Sequence, residues 1–261
     1  MPFIDHAGLR LHVQIDGISH RLAPTLVFAH ALGTDLRLWD AVIPLLPDHL
    51  RLIRYDMRGH GQSDVPPAPY AMGQLISDAE AICDALQVRD AVFVGLGLGG
   101  MVAQGLAVKR LDILHALVLC NTAARIGHVG DWDKRIAAVT AGGMTAITDP
   151  IIDRWFPPTA PGRSLWRDRL RATPAQGYIG AASAIAGSDF YTTTASLRLP
   201  TLGIAGSEDR STPADLVRET IDLIPGARFR IIRRAGHLPP VDQPAAFATA
   251  LTQFLTGIGH D

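Results

Sequence analysis

Residues 91–110 read AVFVGLGLGGMVAQGLAVKR: an apolar run of strand length, a turn crowded with glycine, then a helical run. A strand apolar throughout, rather than at alternate positions, must be covered on both faces. One that passes at once into a helix fits a parallel sheet packed between helices.

The rest of the chain keeps that rhythm. RLHVQID (10–16) alternates with period two and is expected to form an edge hairpin with the residues before it. TLVFAH (25–30) and LRLIRYD (50–56) read as strands, with a helix-like segment over 37–46 between them. AMGQLISDAEAICDALQV (71–88) carries apolar residues at helical spacing, and ILHALVLCN (113–121) is a further strand. From 123 to 192 helical patterns and breaks such as FPPTAPG replace the strands. The rhythm then resumes with TLGIAG (201–206), a helix over 213–223, RFRIIRR (228–234) and a final helix over 243–256. The expected organisation is an α/β core in two parts, 1–122 and 193–261, around an all-helical lid spanning 123–192.

Two chemistries use a glycine run after a strand. Gly95-x-Gly97-x-x-Gly100 matches the dinucleotide fingerprint, which also needs an acidic residue about 20 positions on for the ribose. The next strand ends LVLCN, without a carboxylate, and three strands precede the run where the fingerprint ordinarily follows the first. Gly95-x-Gly97-x-Gly99 matches the nucleophile elbow of a serine hydrolase, with glycine where the serine stands. That reading requires an acid and a histidine later in the chain, in that order. Asp209 follows strand TLGIAG and His237 follows strand RFRIIRR, both at carboxyl ends, where parallel sheets hold their ligands. HALGTDLRLW (30–39) follows an early strand, where the second oxyanion donor belongs. The expected donors are the amides of Leu32 and of Leu98, the residue after the elbow position. His30 is expected to be structural, and Ser63, in the turn DMRGHGQSD (56–64), a turn residue.

Composition excludes other classes. A net charge of −1 favours neither nucleic acid nor an anionic membrane, and 48% hydrophobic against 19% charged residues supports a large core. Cys83 and Cys120 fall in a helix and a buried strand and show neither disulfide nor metal spacing. The start, MPFIDHAGLR, lacks the pattern of a secretory signal, so a cytoplasmic location is expected.

On these motifs the chain resembles the α/β-hydrolases, whose sheet is mostly parallel, twisted and flanked by helices. More narrowly, LGTDLRLW (32–39), RYDMRGHGQSD (54–64), LCNTAARIG (119–127) and DRWF (153–156) resemble the 3-oxoadipate enol-lactonases of aromatic catabolism in the β-ketoadipate pathway. The resemblance implies hydrolytic opening of a small, carboxylated enol-lactone by a Ser-His-Asp triad, with no cofactor and no metal. Asp209 and His237 map onto acid and base, and Gly97 onto the nucleophile. HAL (30–32) and GHLPPVDQP (236–244) depart from that family's usual residues, leaving a different ester or lactone open. Arg125 and Arg135, with Trp132 beside them, are candidates for holding a substrate carboxylate, since guanidinium pairs with it bidentately.

Glycine cannot form an acyl-enzyme. Three readings follow: a hydrolase disarmed by loss of its serine, an Asp209–His237 base acting on water or a substrate proton, and a ligand-binding module without turnover.

Overall fold

A computed structural model describes residues 3–260. Eight strands form one sheet in the order β1-β2-β4-β3-β5-β6-β7-β8. β1 (Phe3–His6) and β2 (Leu9–Gly17) make an antiparallel edge hairpin, and β2 pairs antiparallel with β4 (Arg51–Tyr55). From there every pairing is parallel, through β3 (Thr25–Ala29), β5 (Ala91–Leu96), β6 (Leu114–Cys120), β7 (Thr201–Gly206) and β8 (Arg228–Ile232). β3, β4, β5 and β7 are buried at every position, as strands covered on both faces must be. β2 and the outer β8 keep exposed residues.

Helices α1 (Met72–Ala85) and α2 (Leu98–Lys109) belong to the first part of the core. Helices α3 (Val129–Gly142), α4 (Thr145–Trp155), α5 (Arg163–Ala172), α6 (Ala175–Ala186) and α7 (Tyr191–Ala195) lie between β6 and β7. Core helices α8 (Ala214–Asp222), the short α9 (Pro239–Asp242) and α10 (Pro244–Ile258) complete the chain. The helix expected over 37–46 is instead two 3-10 turns, Leu36–Trp39 and Ile43–Leu45. Pro44 and Pro47 supply no N–H, so a continuous i→i−4 ladder cannot run through that stretch.

The loops after β3 and β4 are fixed by buried polar groups. Asp56 accepts from the Leu36 amide at 2.7 Å, the Gln62 amide at 2.9 Å and His12 Nδ1 at 2.7 Å. Ser63 Oγ donates to the Asp56 carbonyl and accepts from the His12 amide. His30 Nε2 accepts from the Met57 amide and His60 Nε2 from the Gly33 amide. Burial lowers the pKa of both imidazoles, that of His60 to about 3, so they hold loops as neutral acceptors. Among the described residues, no helix is long and apolar enough to cross a membrane.

Candidate active site

Four glycines crowd the turn between β5 and α2, and three are there for space. A Cβ on Gly95 would come within 2.3 Å of the Gly99 carbonyl oxygen, one on Gly99 within 2.1 Å of the Ala29 oxygen, and one on Gly100 within 2.4 Å of Thr122 Cγ2. Gly97 differs. Its Cβ would lie 3.4 Å from Ala31 Cβ and 3.5 Å from His237 Nε2, both ordinary contacts. The backbone there has φ 54° and ψ −113°, a conformation in which a side chain costs about 1–3 kcal/mol. Glycine relieves that strain. The Gly97 amide donates to the Cys120 carbonyl and Thr122 Oγ1 to the Gly97 carbonyl, so the turn is pinned to the end of β6.

His237 and Asp209 meet at this turn. Asp209, in the loop after β7, has a buried carboxylate accepting four hydrogen bonds. They come from the Ser211 amide at 2.7 Å, the Thr212 amide at 3.2 Å, Thr212 Oγ1 at 2.8 Å and His237 Nδ1 at 2.8 Å. A carboxylate is acceptor-only, so the proton between them belongs to Nδ1, and Nε2 carries the lone pair. The His237 amide donates to the Trp155 carbonyl at 2.7 Å, and the Trp155 ring stacks on the imidazole with centroids 6.1 Å apart. Asn121, at the end of β6, closes the frame: its amide group donates to the carbonyls of Gly236 and His237, and its oxygen accepts from the Gly206 amide.

Leu32 and Leu98 flank Gly97 and His237 at the floor of a cavity of about 450 Å³. Among the described residues, neither the Leu32 nor the Leu98 amide donates to a protein acceptor. Leu98 opens α2, where the first N–H groups have no intrahelical partner and attract negative charge. The wall is helical. Trp132 lines it, its indole N–H donating to the Ile126 carbonyl at 2.6 Å, and the Arg135 guanidinium lies 4.5 Å over the Trp132 ring.

Arg125 is placed elsewhere: it does not line the cavity, is half-exposed, and faces Asp189 at 3.8 Å. Arg154 and Tyr178 line the wall instead, unforeseen from the sequence. Burial pushes the Tyr178 phenol above its usual range, while the cations of Arg135 and Arg154 oppose the shift. Thr212 and Asn121 were equally unforeseen. A signal for Arg154 existed in the motif DRWF (153–156), which points to α4 but not to which face of it. Among the described residues, the only group of His, Cys, Asp and Glu donors able to converge within 4.8 Å is Asp90, His115 and His260. It lies by the amino ends of β5 and β6, away from the cavity. Burial raises the thiols of Cys83, to about 12, and of Cys120, and both are free.

Comparison with known proteins identifies the family. Residues 26–250 match the model of the alpha/beta hydrolase family. The chain is 34% identical over 259 residues to 3-oxoadipate enol-lactonase 1 of Acinetobacter baylyi, covering 96% of this chain and 95% of that protein. It is 33% identical over 242 residues to 3-oxoadipate enol-lactonase 2 of the same organism, covering 87% of each. The crystal structure of the enol-lactonase from Burkholderia xenovorans superposes with a TM-score of 0.92 at 35% identity, covering 98% of this chain and all of that one. The chain therefore belongs to the α/β-hydrolase family and resembles its 3-oxoadipate enol-lactonases.

Proposed function

We propose that this protein takes a small carboxylated lactone or ester of the enol-lactone type into the cavity between core and helical insertion. Asp209 and His237 are the acid and base, and the amides of Leu32 and Leu98 form the oxyanion hole. One observation carries the reading. A side chain at Gly97 would stand 3.5 Å from His237 Nε2, whose other nitrogen is held at 2.8 Å by buried Asp209. That is the arrangement of a base and its orienting acid around a nucleophile's seat.

The cavity's charge supports the substrate class. Lys134, Arg135 and Arg154 line it against a single carboxylate, Asp131. Arg135 and Arg154 hold the substrate carboxylate, with Trp132 as the surface on which Arg135 rests. The helices over 123–192 act as the lid. No cofactor, metal, nucleic acid or membrane enters this reading, and the protein works in the cytoplasm.

Glycine at 97 disarms the usual route. Without a hydroxyl no acyl-enzyme forms, and loss of a triad serine costs on the order of 10⁶ in kcat. The family reaction, opening the enol-lactone to 3-oxoadipate, is then nearly abolished by that route. The test is Gly97→Ser, assayed beside the chain as it stands for enol-lactone opening and for cleavage of a small activated ester. A gain of several orders of magnitude, with covalent labelling by a fluorophosphonate, is expected. A serine that adds neither activity nor label sinks the reading.

A further inference from the structure

The floor of the cavity retains every part of a hydrolytic site except the hydroxyl. Glycine at 97 is not demanded by space, unlike Gly95, Gly99 and Gly100, whose Cβ atoms would lie within 2.6 Å of neighbouring backbone or of Thr122. The absent side chain leaves room bounded by Ala31 Cβ and His237 Nε2, at 3.4 and 3.5 Å from the Cβ position. His237 Nδ1 is committed to Asp209, so the nitrogen facing that room is the basic one. Leu32 and Leu98 border the same space with amides that have no protein acceptor among the described residues. A polar pocket with a strong acceptor and room for one small molecule is what an ordered water requires.

Resting on the ester and lactone reading above, we propose that a water occupies the seat at Gly97 and that His237 activates it directly. The chain is then a slow hydrolase that never forms an acyl-enzyme. Nε2 takes one proton of the water as its oxygen bonds to the carbonyl carbon. The carbonyl π electrons move onto oxygen, which the Leu32 and Leu98 amides hold. The adduct collapses, the carbon–oxygen bond to the ring or alkoxy oxygen breaks, and that oxygen leaves with the proton from Nε2. Ester and water give acid and alcohol (for an enol-lactone, the enol, which becomes the ketone), and His237 returns to its starting state. Asp209 keeps the tautomer fixed and stabilises the transient imidazolium.

The assay compares this chain with Gly97→Ala, Gly97→Ser and His237→Gln on p-nitrophenyl acetate and on the enol-lactone. The chain as it stands is expected to turn over steadily, with no burst and no fluorophosphonate label. A positioned base contributes about 10²-fold or more, so His237→Gln should lose at least that much in kcat, with KM nearly kept. Its pH profile should also lose the step that follows imidazole deprotonation. Gly97→Ala puts a methyl where the water sits and should fall similarly. His237→Gln carries the same test without touching the turn, should alanine disturb folding there. Equal rates for Gly97 and Gly97→Ala, both folded, overturn the proposal, as does an unchanged rate or pH profile in His237→Gln. A Gly97→Ser chain with neither gain nor label is a separate failure, because it removes the ester-hydrolase reading itself.

Discussion

At the floor of the cavity, Gly97, Asp209 and His237 sit on short loops leaving β5, β7 and β8, tied by backbone hydrogen bonds to the end of β6 (Gly97), the end of β7 (Asp209) and the carboxyl end of α4 (His237). The wall is made by α3, α4 and α6, whose polar side chains reach the cavity from helices packed on one another. Asp209 accepts four hydrogen bonds and is buried, whereas Lys134 and Asp131 on the wall are 84% and 74% exposed and meet at 3.8 Å. The floor is held rigid by hydrogen bonds, whereas the wall's charged groups are exposed; on the proposed function the floor does the chemistry and the wall selects what reaches it.

Changes to the floor should therefore have much larger consequences than changes to the wall. On the proposed function, introducing a hydroxyl in Gly97→Ser is the largest, several orders of magnitude in kcat. In that background, Asp209→Asn is next. An amide donates where the carboxylate accepted, which favours the wrong imidazole tautomer and removes the charge that stabilises imidazolium. A loss of about 10⁴ in kcat, with little change in KM, is expected from steady-state kinetics. A loss of less than tenfold would mean that Thr212, 2.8 Å from Asp209 and 3.4 Å from His237 Nδ1, can orient the base without the acid.

The same division decided what could be read from the sequence. Strands such as VFVG and TLGIAG announce themselves because burial on both faces leaves them almost wholly apolar, and the loops after them inherit their place. Asp209 and His237 were legible for that reason, as was the turn at Gly97. The hairpin at 3–17 and the helical insertion followed from periodicity. The wall was legible only in part: Trp132 and Arg135 line the cavity, but Arg154 and Tyr178 were not anticipated, because which side of a helix faces a cavity depends on how the insertion folds over the core. Arg125 and Arg135 look alike as sequence, yet one faces Asp189 and the other rests on Trp132. Asn121 hides for another reason: it has φ 40° and its whole side chain is spent on backbone groups more than 80 residues away. The 3-10 turns over 36–45 stand in place of the expected helix because Pro44 and Pro47 supply no N–H to a helical ladder.

Arginine variants sharpen the contrast within the wall. In the Gly97→Ser background, Arg135→Ala and Arg154→Ala should each raise KM for a carboxylated lactone roughly tenfold, since a hydrogen bond to a charged group contributes about 1.5–3 kcal/mol. KM for an uncharged ester should stay within about twofold, the range of ordinary surface changes. Arg125→Ala should leave both substrates unaffected. If Arg125→Ala raises KM for the carboxylate alone, the insertion closes differently over bound substrate, and Arg125 swings to the cavity.

The smallest effect belongs to the seam where floor and wall meet. The His237 loop is held by the Trp155 carbonyl of α4 on one side and by Asp242 on the other, whose Oδ2 accepts from the Gly236 amide at 2.7 Å. The second oxygen of Asp242 is buried without a partner among the described residues. Burial, with Glu208 nearby, raises this carboxyl to about 6 from an ordinary value of 3.8. A group whose folded pKa lies above its unfolded one stabilises the fold when protonated, and that stability is lost as pH rises from about 4 through 6. Asp242→Asn keeps an oxygen for the Gly236 amide and cannot ionise. The difference in stability between the two proteins should favour Asp242 at pH 4 relative to pH 7, by about 1 kcal/mol after screening is allowed for. Urea denaturation of both chains at the two pH values measures it. A pH-independent difference would mean that the carboxylate relaxes toward water when it ionises, and that the loop carrying His237 is looser on its core side than on the side held by α4.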